Sequence, residues 1–255
     1  MIQLGNGQIA LGDCLEVMQS IPSASVDMIL CDLPYGTTQN KWDSVIDLTT
    51  LWSEYWRITK SNAAVVLTAQ CPFDKVLGCS QIQYLKYEWI WEKTNATGFM
   101  NAAKAPLKAH ENVLVFYRNL CRYNPQKTNG HKRIKVIGAK AFQGTNYDKK
   151  KLRTEDTPIY DSEERFPRSV QVFKKDNNIG SIHPTQKPVA LFEYLIKTYT
   201  NEGDTVMDNC LGSGTTAIAA ENTGRKWLGI ERDAGYFGAA CERIARHVPT
   251  NGGVR

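Results

Sequence analysis

Asp32-Leu33-Pro34-Tyr35 combines a carboxylate, a proline that stiffens the backbone and an aromatic ring within four residues. Proline fixes φ and pushes Leu33 toward an extended conformation, so the carboxylate and the ring are held in a defined relation. An aromatic amine is a poor nucleophile because its lone pair is delocalised into the ring. Two acceptors aimed at its two N–H bonds, the Asp32 carboxylate and a backbone carbonyl, favour a pyramidal nitrogen whose lone pair is free. Tyr35 offers a flat face on which a base extruded from a nucleic acid stacks.

A second constellation lies near the other end of the chain. Asp208-Asn209-Cys210-Leu211-Gly212-Ser213-Gly214-Thr215-Thr216-Ala217 reads as a turn between a strand and a helix, and Glu231 follows nineteen positions after Gly212. Glycines let the backbone turn sharply and approach a ligand, and a carboxylate at the end of the next strand accepts both hydroxyls of a ribose. These residues predict a nucleoside-type site. The pattern Gly212-x-Gly214-x-x-Ala217 also satisfies the dinucleotide fingerprint, which keeps a nicotinamide-dependent oxidoreductase in play.

Both segments need strands to place them at one edge of a sheet. Val26 to Cys31, Asn62 to Ala69, Thr205 to Asp208 and Lys226 to Ile230 read as short buried strands. Tyr87 to Trp91, with an aromatic at every other position, and Asn112 to Tyr117 read as two more. Leu48, Leu51, Trp52, Tyr55 and Trp56 recur at helical spacing, and Thr215 to Asn222 and Val189 to Thr198 read as further helices. Alternating strands and helices predict an α/β fold with a mainly parallel sheet. In such sheets ligands bind beyond the carboxyl ends of the strands, where Asp32 and Gly212 both fall.

The periodicity fails between about Cys121 and Ile182, which reads as an insertion. Three regions follow: 1–120 as the catalytic half, 121–180 as an inserted recognition region, and 181–255 as the cofactor-binding half of the same domain. From Arg118 to Lys175 there are 15 Lys/Arg against 6 Asp/Glu, leaving 16 against 20 elsewhere. A basic insertion in an acidic body is the asymmetry expected of a face that meets a polyanion. Within it, Lys132, Arg133, Lys149, Lys150, Lys151 and Arg153 are candidates for phosphate contact rather than base reading.

The remaining composition removes several classes. Seven scattered cysteines without C-x-x-C spacing, and four histidines, offer no zinc or disulfide framework, so no metal is expected and most cysteines read as small buried hydrophobes. No apolar run is long enough to cross a bilayer, and the first residues lack the pattern of a signal peptide, so a cytoplasmic protein is expected.

The tetrapeptide and the Gly212-Ser213-Gly214-Thr215-Thr216 turn together resemble the amino-methyltransferases of DNA, which modify N6 of adenine or N4 of cytosine. The motif order, catalytic segment first, recognition region central and cofactor turn last, is similar to the subgroup called beta. Leu33 stands where that family usually has Pro, and Asn209-Cys210 replace its Pro-Phe pair. The resemblance implies a Rossmann-like methyltransferase fold with circularly permuted motif order, S-adenosylmethionine as cofactor, and DNA, in duplex form, as partner. It allows a homodimer.

Residue by residue, the resemblance implies that Asp32, Pro34 and Tyr35 form the catalytic segment. It assigns cofactor contacts to Asp13, Cys31, Asp32, Thr185, Lys187, Asp208, Cys210, Gly212, Ser213, Gly214, Thr215, Thr216, Glu231 and Arg232. Asp13 matches the family's adenine-contacting position. His183-Pro184-Thr185-Gln186-Lys187-Pro188 matches the segment holding the methionine end, where Lys187 and the positive end of the following helix attract a carboxylate. His110, ahead of the strand at 112–117, borders the base pocket, and Lys41 and Trp42 sit in a loop facing DNA; Trp42 reads equally well as an anchor for the next helix. Asp32 favours adenine N6 over cytosine N4 by family experience. A non-catalytic DNA-binding module with the same fold is a further rival, and an RNA substrate is also compatible with stacking on Tyr35.

Overall fold

The computed structural model describes residues 1–36, 46–136, 160–176 and 186–247 of the 255-residue chain. In chain order its elements are β1 (Ile2–Leu4), β2 (Gly7–Leu11), α1 (Cys14–Met18), β3 (Val26–Asp32), α2 (Leu48–Ile58), β4 (Thr59–Ala69), α3 (Phe73–Ser80), β5 (Leu85–Thr97) and β6 (Lys108–Phe116). There follow β7 (Ile134–Val136), β8 (Tyr160–Ser162), β9 (Val170–Phe173), α4 (Val189–Tyr199), β10 (Thr205–Asp208), α5 (Thr215–Asn222), β11 (Lys226–Glu231) and α6 (Ala234–Arg246).

Nine strands form one sheet in the order β1-β2-β11-β10-β3-β4-β6-β5-β9. The five strands from β2 to β4 in that order pair in parallel, β6 runs antiparallel to both β4 and β5, and β9 joins the far edge parallel to β5. The period-two alternation along β3 and β4 builds both faces. Met28, Leu30, Ala64 and Val66 point into a core with Leu191, Phe192, Leu195 and Ala217 of α4 and α5. Ile29, Cys31, Val65 and Leu67 point into the opposite core with Met18, Leu51, Trp52, Tyr55, Phe73 and Leu77 of α1, α2 and α3. Strands covered on both faces read as continuous apolar runs, which is why β3 and β4 stand out in the sequence. Each such side chain contributes about 1.5–3 kcal/mol on burial.

The edge carrying β1 and β2 is clasped by one buried carboxylate. Glu221 of α5 accepts from Asn6 N at 2.6 Å, Asn6 Nδ2 at 2.7 Å and Trp227 Nε1 at 2.8 Å. Gly7 must be glycine, since a Cβ there would lie 2.2 Å from the Trp227 ring.

The chain divides into two compact units, residues 1–124 with 169–255, and residues 125–168. The smaller holds the antiparallel pair β7–β8 and an antiparallel bridge between Thr128 and Arg165 that draws its two ends together. Several strands lie outside the sequence-based pattern, the β1–β2 hairpin and β9 among them. The β1–β2 hairpin is too short to show periodicity. Residues 170–173 fall within the 121–180 stretch read as inserted, yet β9 belongs to the main sheet: an edge strand with Val170 and Val172 exposed carries no apolar run to reveal it. No helix among the described residues is long and apolar enough to cross a membrane.

Candidate active site

β3, β10 and β11 all end along one edge of the sheet, and a cavity of about 440 Å³ opens there. Asp32, Leu33, Pro34 and Tyr35 line it as β3 ends; Asp13, Asp208, Cys210, Gly212, Ser213, Thr215, Thr216, Glu231 and Arg232 line it from α1, β10, α5 and β11. The two constellations of the sequence thus face one space.

At the β10–α5 turn the carboxylates are oriented by backbone N–H groups. Glu231 Oε2 accepts from Gly212 N at 2.7 Å and Oε1 from Asp233 N at 2.8 Å, and burial pushes its carboxyl above the usual range. Asp208 is fully buried; it accepts from Cys210 N at 3.0 Å and Thr216 Oγ1 at 2.5 Å, and burial pushes its carboxyl up to about 6. Asp13 caps α1 through Leu15 N at 2.9 Å.

Gly214 does not line the cavity. It adopts φ +82° as the residue preceding α5, and a Cβ there would lie 3.2 Å from Ile244 of α6. Its service is conformational and steric, closing α6 against the turn. Cys31 is also set back from the cavity, fully buried, where burial pushes its thiol up to about 12. Cys14 and Cys121 are buried likewise, whereas Cys71 and Cys79 are exposed.

The catalytic end is more constrained than the tetrapeptide alone indicates. Asp32 Oδ1 accepts from the Tyr35 hydroxyl at 2.5 Å and from Thr68 Oγ1, and Asp32 Oδ2 accepts from Lys187 Nζ at 2.5 Å. Thr68 is the register partner of Asp32 across β3 and β4. Tyr35 packs its ring 5.3 Å from Phe73, and burial holds its phenol well above its ordinary value, so it stays a neutral donor.

Lys187 continues the charge pattern inward. It lies 3.3 Å from Glu111 Oε2, and Glu111 Oε1 pairs with Lys93 Nζ at 2.7 Å. Asp32, Lys187, Glu111 and Lys93 therefore alternate in sign across β3, the segment before α4, β6 and β5. Lys187, Glu111 and Lys93 are each at most 6 % exposed. Burial alone would lower the Lys187 ammonium, but Asp32 and Glu111 outweigh it and hold it above its usual range. Burial alone would raise the Glu111 carboxyl, and Lys187 and Lys93 outweigh that in turn, leaving it lowered.

Lys187 thus engages Asp32 and Glu111, and the first amide of α4, Val189 N, is taken by Asp176 Oδ2 at 3.0 Å. Both groups expected to attract a carboxylate from the cofactor have protein carboxylates instead. Thr68 and Lys93 fall outside the motifs, and Glu111, within the segment bordering the expected base pocket, had no role assigned to it. A charged residue at a buried strand position, as at 93 and 111, is the signal that marks them.

Among the candidate nucleic-acid contacts, His110 is exposed on β6, and Lys132 and Arg133 are exposed in the 125–168 unit. Lys41, Trp42, Lys149, Lys150, Lys151, Arg153 and Thr185 lie outside the described residues.

Residues 26–242 match the family model described as DNA methylase. The chain is 28% identical to the DNA adenine methyltransferase YhdJ of Escherichia coli (strain K12), over 91% of this chain and 81% of that protein. It is 26% identical to the type II methyltransferase M.HinfI of Haemophilus influenzae, over 94% of this chain and 69% of that protein. Among solved structures it is similar to the M1.HpyAVI–SAM complex, with a TM-score of 0.63 at 22% identity over 93% of this chain and 98% of that one. The cytosine-N4-specific PvuII DNA methyltransferase superposes with a TM-score of 0.69 at 16% identity, covering 97% and 89%.

Proposed function

The chain belongs to the DNA methylase family of N6 and N4 amino-methyltransferases, and on that premise we propose that it methylates N6 of adenine in duplex DNA, with Asp32 as the residue that activates the target amine. It is an S-adenosylmethionine-dependent enzyme whose substrate is DNA. The observation that carries the reading is the Asp32 carboxylate, held by three donors at the end of β3 in a cavity whose other end carries Glu231 and the Gly212 turn. The name of one curated relative, a DNA adenine methyltransferase, leans the same way.

The cavity suits the cofactor. Glu231, fixed by two amides, presents a carboxylate for ribose hydroxyls, and the turn at Gly212 and Ser213 brings backbone close to the ligand. Bound there, S-adenosylmethionine supplies an electrophilic methyl group on its sulfonium. Every other contribution is positional and electrostatic. The base is turned out of the stack and lies against the Tyr35 ring. Asp32 Oδ1 exchanges its Thr68 or Tyr35 hydroxyl partner for one N–H of the amine, and the Pro34 carbonyl takes the other. Lys187 holds the carboxylate in place while this happens. Asp32 is also the group placed to receive the proton that the amine sheds after methylation.

Cytosine N4 is the second reading. A cytosine-N4-specific neighbour has the same fold, and the pocket's acceptors suit either amine. Nucleoside digestion of DNA from a host expressing the chain separates the two: N6-methyladenine is expected, and N4-methylcytosine in its place overturns the adenine assignment. Sequencing the modified bases gives the site at the same time. Asp32→Ala is expected to abolish transfer while calorimetry still detects cofactor binding; near-normal transfer by that variant removes Asp32 from the mechanism.

A further inference from the structure

An exposed apolar feature near the cavity is the ten-residue connection between β5 and β6. Its two ends, Thr97 and Lys108, are register partners, and both line the cavity that holds Asp32. The loop therefore rises from the rim of the site. It is ordered by its own backbone: Gly98 takes φ +91°, Phe99–Asn101 form a 3-10 turn, and Asn101 O accepts from Lys104 N at 2.8 Å and Ala105 N at 3.0 Å. At its tip Phe99 is 81% and Met100 96% exposed.

Two adjacent large apolar side chains on a rigid rim turn cost free energy in water and need a partner. Residues 98–108 contain Lys104 and Lys108 and no Asp or Glu, so the partner is anionic as well as apolar in part. A DNA duplex meets both conditions. Its backbone suits the lysines, and its base steps admit apolar wedges. A base entering the cavity leaves a gap in the stack, and that gap forms at the cavity rim.

We propose that Phe99 and Met100 are a wedge that enters the duplex beside the target pair and occupies the space left by the extruded base. The wedge makes extrusion favourable and takes no part in the transfer itself. Lys104 and Lys108 seat the loop on the flanking phosphates. The inference rests on the reading of the Asp32 site, because it supposes that the base travels there.

The test uses the full chain, the double variant Phe99→Ser/Met100→Ser, and duplex oligonucleotides carrying the site found by sequencing. Both positions are exposed and the turn is held by backbone bonds, so the fold is unaffected; cofactor calorimetry verifies this. On a fully paired duplex the variant is expected to lose about tenfold or more in kcat/KM. On a duplex whose target base faces an abasic position, already unstacked, it should come within about threefold of the unaltered enzyme. Wild-type rates on the paired duplex overturn the wedge. An equal loss on both duplexes also overturns it. Such a loss together with dissociation of a dimer in sedimentation would assign the patch to a second copy of the chain. Asp32→Asn run alongside separates the two readings: activity in that variant sinks the site and the wedge together, whereas wild-type rates from the loop variant sink the wedge alone.

Discussion

Tyr35 has two capacities at one position, a ring for the base and a hydroxyl on Asp32. Removing only the hydroxyl leaves Thr68 and Lys187 to hold the carboxylate, so Tyr35→Phe is expected to lose less than about tenfold in kcat. Tyr35→Ala removes the stacking face, worth about 1–3 kcal/mol, and should lose about one to two orders of magnitude; steady-state methylation rates on DNA compare the pair. Asp208 offers a thermodynamic test. Burial pushes its carboxyl up to about 6 from the usual 3.8, so the native state holds the proton more tightly and stability falls as pH rises through that window. Asp208→Asn escapes this term. Denaturant unfolding of the cofactor-free chain should show the variant gaining about 2 kcal/mol on the unaltered protein between pH 4 and pH 7. A constant difference would remove the buried carboxylate as a source of pH dependence. Asp32, Tyr35, Gly212 and Glu231 were legible in the sequence because each sits where a strand meets turn chemistry. Thr68 was not, because only the register of β3 against β4 places it opposite Asp32.

The alternating charges tie four segments together, and removing Glu111 strands Lys93 and leaves Lys187 with Asp32 alone. Glu111→Ala leaves Lys93 and Lys187 buried without their shared carboxylate, a change that costs about 3–5 kcal/mol and should show as a lowered melting temperature. Lys93→Met/Glu111→Gln deletes one charge of each sign and should recover much of the loss; a double variant no more stable than the single one would contradict the pairing. The pH sense is opposite to that of Asp208. Lys187 and Lys93 hold the Glu111 carboxyl below its usual 4.5, so its contribution is complete above that pH and is lost as pH falls through the lower folded value. These partners are invisible to motif reading for a geometric reason. Glu111 faces Trp91 in the β5–β6 register, with Lys93 two positions further along the same face of β5, and such cross-strand diagonals depend on the register alone. The parallel strands β3, β4, β10 and β11 were plain in the sequence, and β1, β2 and β9 were not.

Across the whole molecule, charge is divided between an acidic body and a basic central stretch. DNA affinity should fall steeply with salt, and neutralising Lys149, Lys150, Lys151 and Arg153 together should reduce the log–log slope by about 3 to 4. An unchanged slope would take the cluster out of the interface. Because the Thr128–Arg165 bridge draws the ends of the 125–168 unit together, a short Gly/Ser linker can replace that unit. The replaced chain is expected to bind cofactor normally in calorimetry and to lose most of its DNA affinity. The basic composition of this stretch was legible, but the residues that read bases were not, since base reading depends on side-chain reach rather than on any repeating pattern.

The strand order has a consequence for synthesis. β2, formed by residues 7–11, pairs with β11, formed by residues 226–231, and Gly12 N donates to Glu231 O at 3.0 Å between Asp13 and the carboxylate that faces it across the cavity. The early half of the cofactor site therefore waits, with its neighbouring strand missing, until the ribosome has delivered β11 and α6. A nascent chain that already carries Asp32 and Tyr35 cannot yet hold the methyl donor. A chain terminated before residue 231 lacks β11 and with it Glu231, so the site that faces the donor closes in a single step once that strand has been made.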